Sequence, residues 1–189
     1  MKKIKIFAVI LWLIMLIFTI ELADAQSFNK LDNEPHDIVY YKAENNPKPQ
    51  IKVLYGRPKA DEETVFGTKV PFGKIWRTGA NEATEIKFYT DVMFGNKFVK
   101  AGSYVLYTIP KEDYWTIILN SNTDTIGEFF YNPKNDIARL DVPVSKDNSI
   151  DIFSIGFDEK QYGVQMVLAW GETRVKVPFY TKEKLLTKI

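Results

Sequence analysis

The chain has no cysteine, one histidine and almost no net charge. Without cysteine there is no disulfide staple, no thiolate metal site and no lipid-modified N-terminal cysteine. The lone histidine, His36, excludes the usual zinc donor set and leaves little for a nucleophile–histidine pair. No Gly-x-Ser-x-Gly elbow occurs. The formal charge is +1 over 189 residues. Nucleic acid calls for a strongly basic face and anionic membrane for a basic cluster, so neither is an expected partner. Arginine is also scarce, limited to Arg57, Arg77, Arg139 and Arg174, whereas lysines are scattered as on a solvated surface.

The one long apolar run is at the start. Lys2, Lys3 and Lys5 precede an apolar stretch ending at Ile20, and Ala23-Asp24-Ala25 is a small-x-small cleavage pattern. Ile6 to Ile20 is shorter than the roughly 20 residues a spanning helix needs. Residues 1–25 are therefore expected to be a cleaved signal peptide, leaving no membrane span and placing the protein in the periplasm or cell envelope, or outside the cell. Cleavage removes three lysines with Glu21 and Asp24, so the mature chain is formally neutral. Residues 26–36 read as a polar, flexible lead-in, 37–180 as one domain and 181–189 as a short basic tail. A domain of this size buries roughly 70% of the surface its unfolded chain exposes.

Period-two alternation dominates the rest. Ile51, Val53 and Tyr55 alternate with Lys52 and Leu54; Ile86 and Phe88 with Glu85 and Lys87; Tyr104, Leu106 and Thr108 with Val105, Tyr107 and Ile109. Val92-Met93-Phe94 and Lys97-Phe98-Val99 flank Gly95-Asn96, a tight-hairpin signature. Further strands are expected at 114–119, with Trp115, Ile117 and Leu119 on one face, and at 137–142, 150–157, 164–170 and 175–179. The crossover helices of a βαβ fold are not visible. The expected fold is all-β, an antiparallel sandwich, jelly-roll-like or barrel-like. Phe129-Phe130-Tyr131 breaks alternation, so at least one ring should be exposed.

The densest polar cluster is Lys74-Ile75-Trp76-Arg77-Thr78-Gly79-Ala80-Asn81-Glu82. Loops on rigid scaffolds often carry function. Arg77 offers a planar fork for carboxylate, phosphate or vicinal hydroxyls, Asn81 a donor and an acceptor, and Glu82 a carboxylate. Trp76 and Trp115 offer apolar faces, and Arg57 could converge with Arg77 on an anion. The competing reading is structural: Trp76 fills the core, Arg77 pairs with Glu82, and Asn81 satisfies turn backbone. The oxygen-rich segments 120–125 and 132–136 do not match a calcium loop and read as ordinary turns. No metal or other cofactor is expected.

Several spaced motifs carry a resemblance. Tyr55-Gly56-Arg57-Pro58 is followed by Val70-Pro71-Phe72-Gly73-Lys74-Ile75-Trp76-Arg77-Thr78-Gly79-Ala80-Asn81-Glu82-Ala83-Thr84. Then come Ala101-Gly102-Ser103-Tyr104, Ile109-Pro110, Trp115-Thr116-Ile117, Leu168-Ala169-Trp170 and Val177-Pro178-Phe179. In order and spacing the chain resembles the exported bacterial family catalogued as domain of unknown function 2911, from about Gln50 to Phe179. The resemblance implies secretion and an all-β domain, and brings no activity, cofactor or substrate. Where that family often has a basic turn, this chain reads Lys59-Ala60-Asp61-Glu62-Glu63-Thr64, which argues against anion binding there. The expected function is a non-enzymatic binding module for a small polar or anionic ligand, saccharides among the candidates, using Trp76, Arg77, Asn81, Glu82, Arg57 and Trp115. The alternatives are a structural protein with an envelope protein partner and a carboxylate-based hydrolase.

Overall fold

A computed structural model describes Trp12 and residues 33–44, 46–60, 64–123, 125–161 and 163–181. The expected signal peptide, most of the lead-in and the C-terminal tail beyond 181 lie outside the described residues. No helix among the described residues is long and apolar enough to cross a membrane.

Nine strands build one antiparallel sheet: β1 (His36–Tyr41), β2 (Ile51–Gly56), β3 (Glu85–Phe88), β4 (Val92–Phe94), β5 (Lys97–Val99), β6 (Gly102–Pro110), β7 (Tyr114–Asn120), β8 (Asp136–Lys160) and β9 (Gly163–Thr181). Their order is β1-β2-β3-β6-β7-β8-β9-β4-β5, so the sheet is open, with edges at β1 and β5. The all-β antiparallel expectation holds. The hairpin expected at Gly95-Asn96 pairs Val92 with Val99 and Phe94 with Lys97. Gly95 alone of its two turn residues takes positive φ, 61°, the requirement of a two-residue turn with glycine in its first central position.

The structure differs from the sequence reading at two places. The segments expected as four strands between 137 and 179 are two long ones, β8 and β9, paired across the turn after Lys160. Their register shifts between Lys146 and Ile150 and again between Ile150 and Ser154. Each bulge interrupts alternation and bends the ribbon without ending it. The first part of β8 pairs with β7 from Tyr114↔Pro143 to Asn120↔Asp136. Its second part lies back over β2, where Ile155 N donates to Tyr55 Oη at 3.1 Å and Phe153 N to Pro58 O at 2.9 Å. The sheet thus doubles over into a sandwich-like form. β1, the other difference, begins inside the expected lead-in.

The fold encloses one large core. Trp115, Ile117 and Leu119 of β7 point into it as alternation predicts, with Ile51, Val53 and Tyr55 of β2 and Val175, Val177 and Phe179 of β9. Rings meet across the fold: Tyr55 on Phe153 at 5.7 Å and Phe88 on Phe179 at 5.4 Å. The opposite faces of β6 and β7 form a second cluster of Val105, Tyr107 and Ile118 with Ala83, against which Ile75 and Tyr131 pack. Because both faces of these strands are buried, the segments around 75–83 and 125–131 are fastened to a rigid base. Phe129 and Phe130 are exposed, as the broken alternation foretells.

Two tyrosines make the fold sensitive to alkali. Burial first, then a hydrogen bond to Glu159, pushes Tyr41 up to about 12; burial and Asp136 do the same to Tyr131. A raised folded pKa stabilises fully below the unfolded value of about 10, and that contribution is lost as pH climbs from there through 12. The Tyr41→Phe, Tyr131→Phe double variant should show a shallower fall in Tm between pH 10 and 12 than the parent. An unchanged slope would remove these phenols from the alkaline transition.

Candidate functional site

The central loop is a strained backbone held down on three sides. Trp76 exchanges two backbone hydrogen bonds with Thr108 of β6, at 2.8 and 3.0 Å. Thr78 (φ 60°) and Asn81 (φ 62°) then take left-handed conformations. For the β-branched Thr78 this is an outlier of a kind that costs on the order of 1–3 kcal/mol and clusters at functional sites. Buried threonines compensate. Thr78 Oγ1 donates to Trp76 O at 3.3 Å and to Thr108 Oγ1 at 3.2 Å, while Thr84 Oγ1 donates to Thr78 O at 2.7 Å. All three are wholly inaccessible to solvent. Asn81 Nδ2 donates to Glu34 O at 3.2 Å, tying the loop to the residues before β1.

Glycines set how close the loop lies. A Cβ on Gly56 would fall 2.1 Å from Ala80 O, and one on Gly79 would fall 2.9 Å from Gly56 O. The loop backbone therefore rests directly on the end of β2. A third glycine, Gly127 (φ 65°), lies under the guanidinium, where a Cβ would approach Arg77 Nη1 to 3.0 Å.

The charged residues of the loop pair outward and apart. Arg77 Nη1 is 3.3 Å from Glu128 Oε2, whereas Glu82 Oε2 is 2.8 Å from His36 Nε2. Arg57 Nη1 meets Asp37 Oδ2 at 3.3 Å. The Nε atoms of both Arg57 and Arg77 are buried with no hydrogen-bond partner among the described residues. Tyr107 helps fix the Glu128 segment, its hydroxyl 3.0 Å from Thr125 Oγ1. Burial holds that phenol above its ordinary value, opposed by the Thr125 hydrogen bond, so it remains neutral.

Two clefts flank the loop. The smaller, about 230 Å³, is lined by Arg77 and Trp76 together with Glu34, Lys69, Glu128 and Trp170. Lys69 Nζ stands 5.8 Å from the Trp170 ring centre. The other, about 490 Å³, has Glu82, Glu85 and His36 at its polar side and Leu54, Ala83 and Ile126 at its apolar side. Thus Trp76 and Arg77 share one cleft, Glu82 faces the other, and Arg57 and Asn81 line neither. Trp76 and Trp115 are 8% and 2% exposed, with ring centres 5.9 Å apart in the core; Trp76 reaches its cleft only by an edge. Among the described residues no group of three or more metal-ligating side chains converges.

Glu34, His36, Lys69 and Glu128 complete the site, and nothing in the sequence pattern links them to Arg77 or Glu82. Arg77 and Glu128 are 51 positions apart, and no local pattern links them. His36 is marked only by being the single histidine.

No curated protein and no solved structure matches the chain significantly. The family model described as a protein of unknown function (DUF2911) matches residues 35–179. That span holds the whole described sheet up to the last residues of β9, and the central loop with the lining of both clefts apart from Glu34. The chain belongs to that family.

Proposed function

We propose that this protein is an exported, non-enzymatic binding module of the cell envelope. Its ligand is small and polar with an anionic group, and it is held in the Arg77 cleft. The observation that carries this reading is Arg77 itself. Its guanidinium is set by the Gly127 backbone and Glu128, and its Nε is buried without a hydrogen-bond partner among the described residues. A buried donor of this kind is costly unless something accepts from it, and a guanidinium fork matches carboxylate or phosphate. Lys69 adds a second positive charge to the cleft, while Glu34 and Glu128 select against a bare polyanion. Export rests on the N-terminal charge and apolar pattern.

The test is a thermal-shift screen with carboxylates, phosphates and amino acids. A ligand at one hundred times its Kd adds about 2.7 kcal/mol, roughly 5–10 °C in a domain of this size. The Arg77→Ala variant should lose that shift while its own Tm falls by only a few degrees, since a partly exposed ion pair contributes at most about 1 kcal/mol. A variant that unfolds would make Arg77 a structural strut. No shift with any compound would sink the ligand reading. It would favour an envelope interaction protein, a role for which the exposed rings of Phe129 and Phe130 speak.

A further inference from the structure

Besides the two clefts at the central loop, the fold holds a groove of about 790 Å³, within the range of ligand sites. Its floor is apolar, made by Phe66, Trp115 and Trp170. The three rings pack edge to face, Phe66 to Trp115 at 4.7 Å and Phe66 to Trp170 at 5.9 Å. Over this floor stands Phe72, 38% exposed. Its place is fixed by Gly67 (φ 95°), where a Cβ would come within 2.9 Å of Phe72 Cε2. Phe72 is thus a seated ring that remains partly exposed to solvent.

The far rim is irregular backbone that is locked in position. It falls where β8 and β9 shift register between Lys146 and Ile150. Arg174 spans this bulge: Nη1 donates to Gly171 O and to Thr173 O, both at 2.9 Å, and Nη2 donates to Asn148 O. Gly171 (φ 53°) has open space where a Cβ would stand. Bulges of this kind re-aim side chains beside functional sites, and here they bring Lys146 and Glu172 to the groove. That pair is loose, 3.9 Å apart with both side chains about two-thirds exposed, so its groups can exchange each other for hydroxyls. Lys111, Glu112 and Asp151 complete a lining of mixed sign.

We infer that this groove binds a neutral oligosaccharide, with a pyranose ring stacked on Phe72 and its hydroxyls shared among Lys146, Glu172, Lys111 and Asp151. Alternating donors and acceptors around an apolar face suit a sugar ring. Among the described residues the lining sets three carboxylates, Glu112, Asp151 and Glu172, against two ammonium groups, Lys111 and Lys146, and so gives an anion no preference. Trp170 lies between this groove and the Arg77 cleft and lines both, but Arg77 lines only its own cleft, so Arg77→Ala distinguishes this inference from the Arg77 ligand.

The full chain, expressed with its leader in an exporting host, is titrated with cellohexaose, maltohexaose and chitohexaose. Polygalacturonate serves as the acidic comparison, and binding is read by calorimetry and tryptophan fluorescence. At least one neutral hexasaccharide should bind saturably. Phe72→Ala should weaken it tenfold or more and Glu172→Gln severalfold, while Arg77→Ala leaves it unchanged. Should Phe72→Ala fail to fold, Glu172→Gln and Lys146→Ala, both at exposed positions, decide the matter. Absence of saturable binding to all three, tighter binding of polygalacturonate, or loss of binding in Arg77→Ala alone would each overturn the assignment.

Discussion

Gly56→Ala should lower the Tm by roughly 10 °C or more, the expected cost of about 4 kcal/mol for a main-chain clash in a domain of this size. The new methyl carbon would lie 2.1 Å from Ala80 O. Both contacting groups are backbone, one in β2 and the other in a loop pinned by Thr78, Thr84 and Thr108, so no side chain can swing aside. Relief requires the loop to lift, which breaks the buried threonine network and leaves its oxygens and amides unsatisfied. Gly156→Ala is the control. It lies in β8 with open space around the added methyl, and removing glycine from a strand reduces the entropy of the unfolded chain. Its Tm should be unchanged or slightly raised. Equal Tm values for the two variants would contradict the seating of the loop on β2. The same variant should also weaken any ligand of the Arg77 cleft, because Gly79 and Ala80 line it.

Trp76→Ala should be nearly as damaging, at about 3–5 kcal/mol. The indole is the hub of the aromatic core: its ring centre lies 5.8 Å from Phe66, 5.9 Å from Trp115, 5.2 Å from Phe153 and 6.0 Å from Trp170. Truncation leaves a cavity between two faces of the doubled sheet, and four rings cannot collapse together to fill it. Trp76→Phe should recover about half of the loss. Chemical denaturation with tryptophan emission measures both. The outcome separates the two readings of this residue. A stable, well-folded Trp76→Ala protein that had merely lost its ligand would make the indole a binding platform. A large loss of stability makes it core whose edge is incidentally presented to the cleft.

What could be read from the sequence was local. The Val92–Val99 hairpin, the inward face of β7 and the exposure of a ring at 129–131 all follow from neighbouring residues, and all stand in the fold. β8 and β9 were harder, because a strand that carries a bulge loses its alternation at the very place where it continues. The stretch Lys146-Asp147-Asn148-Ser149 looks like a turn and is instead the bend that carries β8 from one layer to the other. β1 carries a weak strand signal because it opens with the polar His36 and Asp37, which pair with Glu82 and Arg57. The loop from Trp76 to Glu82 could be picked out by composition, but not its pairing. Arg77 turns to Glu128 rather than to Glu82, five positions on, because Gly127 leaves room for the guanidinium. Glu82 turns to His36. Such partners are chosen by the folded path of the chain.

The order of the strands sets the order in which the molecule can be finished. β4 and β5 are made early, yet β4 has a single neighbour besides its own hairpin partner: the end of β9, from Phe179 to Thr181. Until those residues exist, β4 has no strand to pair with beyond its own hairpin, and Phe94 lacks the ring of Phe179 that it stacks against at 5.4 Å. Half the chain length separates the two, a closure that is entropically slow. The β4–β5 hairpin therefore joins the sheet only once the end of the final strand is present. A nascent chain that has not yet reached Phe179 therefore leaves one side of β4 unpaired and Phe94 without its stacking partner.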